Sequence, residues 1–318
     1  MKITLREILA FLTLYGLGQK LLRRKIKPIS VLSYNIKSVI YGSLAAKLAR
    51  VSYCYALITG LGFAFTGKPK AKRALAQKAA RTLYRMALKR TDCVFFQNPD
   101  DQLLFTTLNI LPQGACFEIV NGSGVDLTYF EVTPIPVRPV VFLLIARLLG
   151  DKGVREYVSA AAEVKKRYPE TIFRIVGYLD ENPDCISVDE VTEWGSEGVI
   201  QYLGILEDVR PAISDSSVYV LPSYREGMPR TVLEAMSMGR PIITTNAPGC
   251  RETVVEGVNG FLVPVKAVAE LAAAMEKFVL EPQLINLMGA RSRKFAEEKF
   301  DVNKVNAKML AGMGVIRK

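Results

Sequence analysis

The sequence predicts an α/β fold: two doubly wound, Rossmann-like units facing across a crevice, the first of them incomplete. Three observations carry this expectation. Short strand-like runs alternate with helical patterns along the chain, the mark of parallel sheets flanked by helices. Several runs are apolar throughout, Val140 to Ile145 above all, as strands covered on both faces require. Residues 132–139 hold three prolines and break the series in two, which reads as a linker.

Taken in order, apolar residues at 5, 8, 9, 12, 21 and 22 predict an amphipathic helix from Leu5 to Arg24, ended by Pro28. A short strand follows at Ile29–Ser33, then a helix through Tyr41 to Leu48. Tyr53–Thr59 reads as a strand closed by Gly60-Leu61-Gly62, Lys70–Arg90 as a helix, and Cys93–Gln97 and Phe117–Val120 as strands. A doubly wound unit normally opens with a buried strand and a tight glycine turn. This chain opens with a charged helix instead, so its first unit is expected to lack the opening βα portion and the central strands that go with it. After the linker, Val140–Ile145 is a strand and Gly153 to Arg167 a helix, followed by strands at Thr171–Val176, Ile200–Leu203 and Val218–Leu221. Helix Arg230–Met238 and strands Ile242–Thr244 and Gly260–Val263 come next. Val268, Leu271, Ala272, Met275 and Val279 then mark a helix at the 3.6-residue period. Domains are accordingly expected at 1–131 and 132–299, with 300–318 returning to the first.

A chain of 318 residues suits two domains at about 150 residues each. Half of it is apolar and 23% charged, which excludes a disordered chain. It contains no histidine, so a Ser-His-Asp triad, a Cys-His dyad and His-ligated zinc or iron are excluded. The cysteines Cys54, Cys93, Cys116, Cys185 and Cys250 are scattered, odd in number and never in C-x-x-C spacing. Neither a zinc knuckle nor a disulfide framework is therefore expected, and a reducing cytosol fits best. The longest apolar stretch near the start, Ile8 to Gly18, has eleven residues, short of the roughly 20 that span a bilayer. No small-residue cleavage site follows it, so no secretory signal is expected.

Charge is divided unevenly. Residues 1–90 carry 19 Lys and Arg against the single acid Glu7, whereas the rest carry 23 basic residues against 30 acids. The basic part should face something anionic, a nucleic acid or a cytoplasmic leaflet. Lys78, Arg81, Arg85 and Lys89 recur on one side of the Lys70–Arg90 helix, beside an expected apolar stripe of Leu75, Ala79, Leu83 and Met86. Such a helix can lie at a headgroup layer, or it can simply dock on its own domain. No helix-turn-helix, zinc-finger or RNP-type segment supports nucleic acid.

Two turns could carry chemistry. Ile145-Ala-Arg147-Leu-Leu-Gly-Asp-Lys152-Gly153 follows a strand at the end where such sheets bind ligands. Arg147 and Lys152 flank that turn and can clamp a diphosphate, Arg by its fork and Lys as a point charge, or they are two surface cations. The second turn runs from Leu221 into the helix at Arg230, with Glu226 in the turn and Glu234 eight residues on. Pro229 at a first helical position would leave exposed amides that form an anion site. Both carboxylates can reach one elongated ligand. Alternatively, Glu226 complements the helix dipole and Glu234 is solvated. No G-x-G-x-x-G lies between a strand and a helix, which argues against a dinucleotide-dependent oxidoreductase.

Together, Glu226-x7-Glu234 within E-G-M-P-R-T-V-L-E-A, the A-R-L-L-G-D-K-G turn, and N-G-S-G-V-D at Asn121 to Asp126 resemble family-4 retaining glycosyltransferases of the GT-B fold. The resemblance covers Pro28 to Phe300. Tyr53 to Phe65, F-Q-N-P-D-D and P-S-Y-R-E-G-M-P-R-T are similar to the branch that adds N-acetylhexosamine or related sugars to lipid-linked intermediates of surface polysaccharides and glycans. The resemblance implies that Glu226 is the catalytic residue, sitting against the donor sugar and assisting the chemistry, that Glu234 holds the ribose, and that Arg147 and Lys152 bind the diphosphate and stabilise it as it leaves. It further implies that amides of Gly227, Met228, Pro229 and Arg230 line the phosphate cradle, with proline contributing backbone position and no N–H. No metal or other cofactor is implied; UDP-sugar is a substrate. The acceptor implied is a polyprenyl-diphosphate-linked saccharide, handled by a cytoplasmic enzyme peripheral on the inner membrane face, with Lys78, Arg81, Arg85 and Lys89 toward anionic lipid. Many relatives place a histidine in the first domain where this chain has Gly60 to Gly62. An incomplete first domain leaves an alternative, a non-catalytic nucleotide-sugar-binding remnant or one subunit of a split transferase.

Overall fold

The structure, a computed structural model, describes residues 28–61, 71–136, 138–180 and 184–315. The helix expected at Leu5–Arg24 lies outside these residues. The chain forms two compact units: one ends at Gly122 and resumes at Asn306, and the other is Ser123–Val305. Residues 123–131 and 300–305 thus sit in the second unit, where the sequence boundaries differ. Hydrogen bonds explain the difference. Val125 N–H donates to the Phe300 carbonyl at 2.8 Å, and Val302 N–H to the Val125 carbonyl at 3.0 Å. Ser237 Oγ donates to the Phe130 carbonyl at 2.6 Å.

The first unit contains β1 (Ser30–Tyr34), α1 (Ile36–Leu48), β2 (Tyr53–Ile58), α2 (Ala71–Leu88), β3 (Cys93–Phe96), α3 (Pro99–Thr107) and β4 (Phe117–Ile119). Its described strands pair in parallel in the order β1-β2-β3-β4. Val39 and Ile40 of α1, Tyr84 and Leu88 of α2, and Phe105 of α3 pack on Ala56, Ile58, Val94 and Phe96. The helix α3, absent from the sequence expectation, starts where Asn98 Oδ1 accepts the Asp101 N–H at 2.8 Å. Cys93 and Cys116, distant in the sequence, lie with their sulfurs 2.8 Å apart at adjacent strand starts, a proximity that the cysteine spacing did not reveal.

The second unit contains β5 (Val141–Ile145), α4 (Val154–Arg167), β6 (Ile172–Val176), α5 (Val188–Ser196), β7 (Gln201–Tyr202), α6 (Arg210–Ser214), β8 (Val218–Leu221), α7 (Arg230–Ser237), β9 (Ile242–Thr245), β10 (Gly260–Val263), α8 (Val268–Leu280) and α9 (Gln283–Phe295). Its six described strands are parallel and run β10-β9-β8-β5-β6-β7. Every residue of β5 is buried because alternate side chains enter two cores. Phe142 and Leu144 pack with Val154 and Tyr157 of α4 and with Met275 and Phe278 of α8. Leu143 and Ile145 pack with Val232, Leu233 and Met236 of α7 and with Phe300.

The linker is fastened to this unit. Arg240 is fully buried and donates to the Thr133 carbonyl at 2.9 Å, the Pro134 carbonyl at 3.1 Å and the Ser214 carbonyl at 2.7 Å. Burial pulls its pKa down to about 10, and carbonyl oxygens replace the water it has lost. The chain then returns to the first unit along α10 (Val302–Gly312). Lys308 Nζ donates to the Ile119 carbonyl and Tyr55 Oη to the Met313 carbonyl, both at 2.6 Å.

Candidate active site

In the second sheet β5 lies between β6 and β8, so the chain leaves β5 in one direction and later returns on its other side. The carboxyl ends of two such strands frame the crevice where doubly wound sheets take ligands. The turn after β5 carries Arg147 and Lys152, and the turn after β8 carries Glu226. The sequence reading places both turns at strand ends, and the topology makes those strands neighbours.

The two turns are joined by backbone. Tyr224 N–H donates to the Asp151 carbonyl at 2.9 Å. Gly153 has φ 72°, and a Cβ there would overlap the Pro222 carbonyl. Glu226 N–H donates to the Pro248 carbonyl at 2.9 Å, while Gly249, at φ 80°, leaves no room for a Cβ beside the Glu226 carbonyl. Glycine alone reaches these conformations without strain and permits the close approach. Below the turns, Tyr219 Oη donates to Thr231 Oγ1 at 2.6 Å or to the Ile145 carbonyl at 3.0 Å, tying α7 to the end of β5.

Lys152 Nζ lies 2.5 Å from Glu226 Oε1, and both side chains are about 15% exposed. Ser223 Oγ donates to the same oxygen at 2.8 Å. The Ser223 carbonyl in turn accepts from the Thr245 hydroxyl and, at 3.9 Å, from the Cys250 thiol. A second group lies in α7, where Arg230 Nε donates to Glu234 Oε1 at 2.9 Å. Glu234 is 6% exposed, which rules out its reading as a solvated helix residue. Burial raises its pKa, opposed by the Arg230 charge. Arg147 is half-exposed and pairs with Asp180 at 3.5 Å. Pro229 occupies the position before the first helical residue, one step earlier than expected, and α7 begins at Arg230. Gly227 and Pro229 are buried and Met228 is half-buried.

Sequence reasoning missed Ser223, Thr245 and Gly249. The serine three residues before Glu226 was visible in the motif, but its partner oxygen was not. Among the described residues, no group of three or more His, Cys, Asp or Glu could hold a metal ion. Such a site offers a shielded cation, a carboxylate beside it and a helix start, which suits an anionic ligand carrying a polar group.

A family model for group 1 glycosyl transferases matches residues 139–280, and one for glycosyl transferase 4-like proteins matches residues 6–98. Each of the two units thus matches a glycosyltransferase model, and the chain resembles the family-4-like glycosyltransferases. The transferase is 29% identical over 281 residues to the N,N'-diacetylbacillosaminyl-diphospho-undecaprenol α-1,3-N-acetylgalactosaminyltransferase of Campylobacter jejuni, covering 84% of this chain and 72% of that one. It is 26% identical over 313 residues to the UDP-Gal:α-D-GlcNAc-diphosphoundecaprenol α-1,3-galactosyltransferase of Escherichia coli, covering 94% and 77%. Among solved structures, sucrose-phosphate synthase from Thermosynechococcus elongatus superposes with a TM-score of 0.79 at 20% identity, covering 96% of this chain and 78% of that one. HepE of Anabaena, solved with UDP, gives 0.77 at 20% identity, covering 96% and 82%. The transferase therefore has the GT-B fold of two Rossmann-like domains.

The basic helix of the transferase departs in part from expectation. Lys78 and Lys89 are exposed and Arg81 is half-buried. Arg85 Nε donates to the Asn109 carbonyl at 2.6 Å and its Nη2 to the Leu108 carbonyl at 3.3 Å, so this guanidinium is engaged at the end of α3. The expected apolar stripe is also rotated. Leu83 packs half-buried against the core as expected, but Ala79 and Met86 are exposed, and Tyr84 and Leu88 enter the core. The Leu75 side chain lies outside the described residues. No described helix is long and apolar enough to cross a membrane.

Proposed function

We propose that this glycosyltransferase moves a sugar, an N-acetylhexosamine, from a UDP-sugar to a polyprenyl-diphosphate-linked saccharide with retention of anomeric configuration. The observation that carries the reading is the Lys152–Glu226–Ser223 cluster at the β5/β8 strand ends, beside the start of α7. The names of the Campylobacter and Escherichia relatives support the donor and acceptor classes. Lys152 and Arg147 bind the diphosphate, with the Gly227–Arg230 backbone around it. Negative charge grows on the β-phosphate as the glycosidic bond breaks, and fixed cations stabilise that charge most in the transition state. Glu226 meets the donor sugar and Glu234 accepts from the ribose hydroxyls. No metal takes part. The exposed basic residues of α2, Lys78 and Lys89 foremost, face the anionic inner leaflet that carries the acceptor.

The test is transfer from UDP-N-acetylhexosamine to a synthetic polyprenyl-diphosphate saccharide, with and without chelator, the product linkage being read by NMR. We expect chelator-insensitive transfer with the donor's anomeric configuration. An inverted linkage, or turnover lost with chelator and restored by a divalent cation, would refute the mechanism.

A further inference from the structure

We propose that Ser223 is a positioning residue for the transfer. With Lys152 it holds Oε1 of Glu226, so that Oε2 is the oxygen presented to the donor sugar. The proposal rests on the reading that Glu226 faces that sugar.

Ser223 has no exposed surface, and its hydroxyl lies 2.8 Å from the oxygen that also receives Lys152 Nζ at 2.5 Å. Both donors converge on Oε1, and no described group donates to Oε2. The anchor is itself anchored. The Ser223 carbonyl accepts from Thr245 of β9 and from Cys250, and the Glu226 amide is fixed to Pro248. A carboxylate held through one oxygen and through its own backbone has little rotational freedom about its last bonds.

The chemistry of the two donors differs in a way that matters once substrate arrives. An ammonium has three donor positions and is drawn to phosphate, so a bound diphosphate competes with Glu226 for Lys152. A serine hydroxyl is neutral and donates a single hydrogen bond, which a carboxylate accepts readily. Ser223 therefore keeps the carboxylate oriented when Lys152 divides its hydrogen bonds between Glu226 and phosphate. Its contribution belongs to geometry at the sugar and not to nucleotide binding.

This separation sets the test on the full chain. Ser223→Ala should lower kcat roughly thirtyfold, within the loss that misplacement by about an ångström produces. KM for UDP-N-acetylhexosamine should rise less than kcat falls, and UDP affinity by calorimetry should stay within roughly twofold because the nucleotide contacts are untouched. A second readout needs no turnover: the ratio of UDP-sugar to UDP affinity should shrink in Ser223→Ala. Ser223→Thr, which keeps the hydroxyl, should recover both. Wild-type kcat and an unchanged affinity ratio in Ser223→Ala would overturn the proposal. So would UDP affinity falling in step with kcat, which would mark a merely structural serine, or a Ser223→Thr protein that binds UDP normally and stays as slow as the alanine variant. Glu226→Gln separates the two ideas. If it leaves kcat and the affinity ratio at wild-type values, Glu226 does not face the sugar and the underlying reading fails, whatever Ser223 does.

Discussion

Removing the charge of Glu226 should tighten the binding of UDP. In the resting site Lys152 Nζ is 2.5 Å from Glu226 Oε1, with both side chains about 15% exposed. Opposite charges at 4 Å attract by about 1 kcal/mol in water and about 4 kcal/mol at an effective dielectric constant near 20. Desolvation offsets part of that attraction, and a diphosphate approaching Lys152 must both share its cation and tolerate a neighbouring anion. Glu226→Gln keeps the shape and relieves both costs. A net gain of about 1 kcal/mol corresponds to roughly fivefold tighter UDP. Lys152→Ala removes a charged donor and should cost about 1.5–3 kcal/mol, at least roughly tenfold. Isothermal calorimetry of UDP at two ionic strengths gives both numbers, and the gain in Glu226→Gln should shrink with salt. A tenfold loss of UDP affinity in Glu226→Gln, or unchanged affinity in Lys152→Ala, would refute the assignment of this pair.

Four further outcomes follow from the structure. Burial raises the Glu234 pKa, so this carboxylate takes up its proton above the ordinary value near 4.5 as pH falls. UDP affinity should therefore decline on acidification before exposed carboxylates titrate, and Glu234→Gln should remove that limb from a calorimetric pH series. The same shift means that native protein binds the Glu234 proton more tightly than unfolded chain, so Glu234→Gln should gain stability in thermal melts above the folded pKa and lose that advantage below the unfolded one. Gly249→Ala forces a side chain into a left-handed conformation and against the Glu226 backbone, and should cost about 2 kcal/mol or more while displacing the carboxylate; a melting temperature and kcat both equal to wild type would contradict this. Binding to vesicles rich in anionic lipid should fall with salt over a Debye length of about 8 Å at physiological ionic strength. Lys78→Glu with Lys89→Glu should weaken it more than Arg85→Glu, whose guanidinium is already engaged, and equal losses in co-sedimentation would reject that ranking.

Much of the fold was legible because burial on both faces leaves unbroken apolar strands. Val218–Leu221 and Gly260–Val263 match the reading residue for residue. Short helices were lost because one or two turns give too little periodicity, although Ser187 and Glu190 form a capping box that marks the start of α5. On α2 the period was right and the face was only partly right, since Leu83 packs on the core and Met86 does not. Tyr84 and Met86, two residues apart at 3.6 residues per turn, point to nearly opposite sides of the helix, and packing against Phe105 and Phe96 selects the tyrosine. At the site, the charged residues and their turns were readable, since charge beside a strand end is unusual enough to notice. Ser223 was not, because a hydroxyl acquires meaning only from the oxygen it faces. The Arg230–Glu234 pair follows the i,i+4 rule, yet the burial of Glu234 depends on tertiary structure that spacing does not express.

The backbone seam between the two turns also bears on how such a transferase can be altered. Asp151 and Tyr224 are joined by a main-chain hydrogen bond, and Gly153 and Gly249 leave no volume between segments distant along the chain. A loop graft that replaces one turn alone would bring foreign backbone against a partner shaped for the native one. Segments 146–153, 222–229 and 246–250 form a single interchangeable cassette, and recombination between homologues should keep function only where crossovers leave all three from one parent.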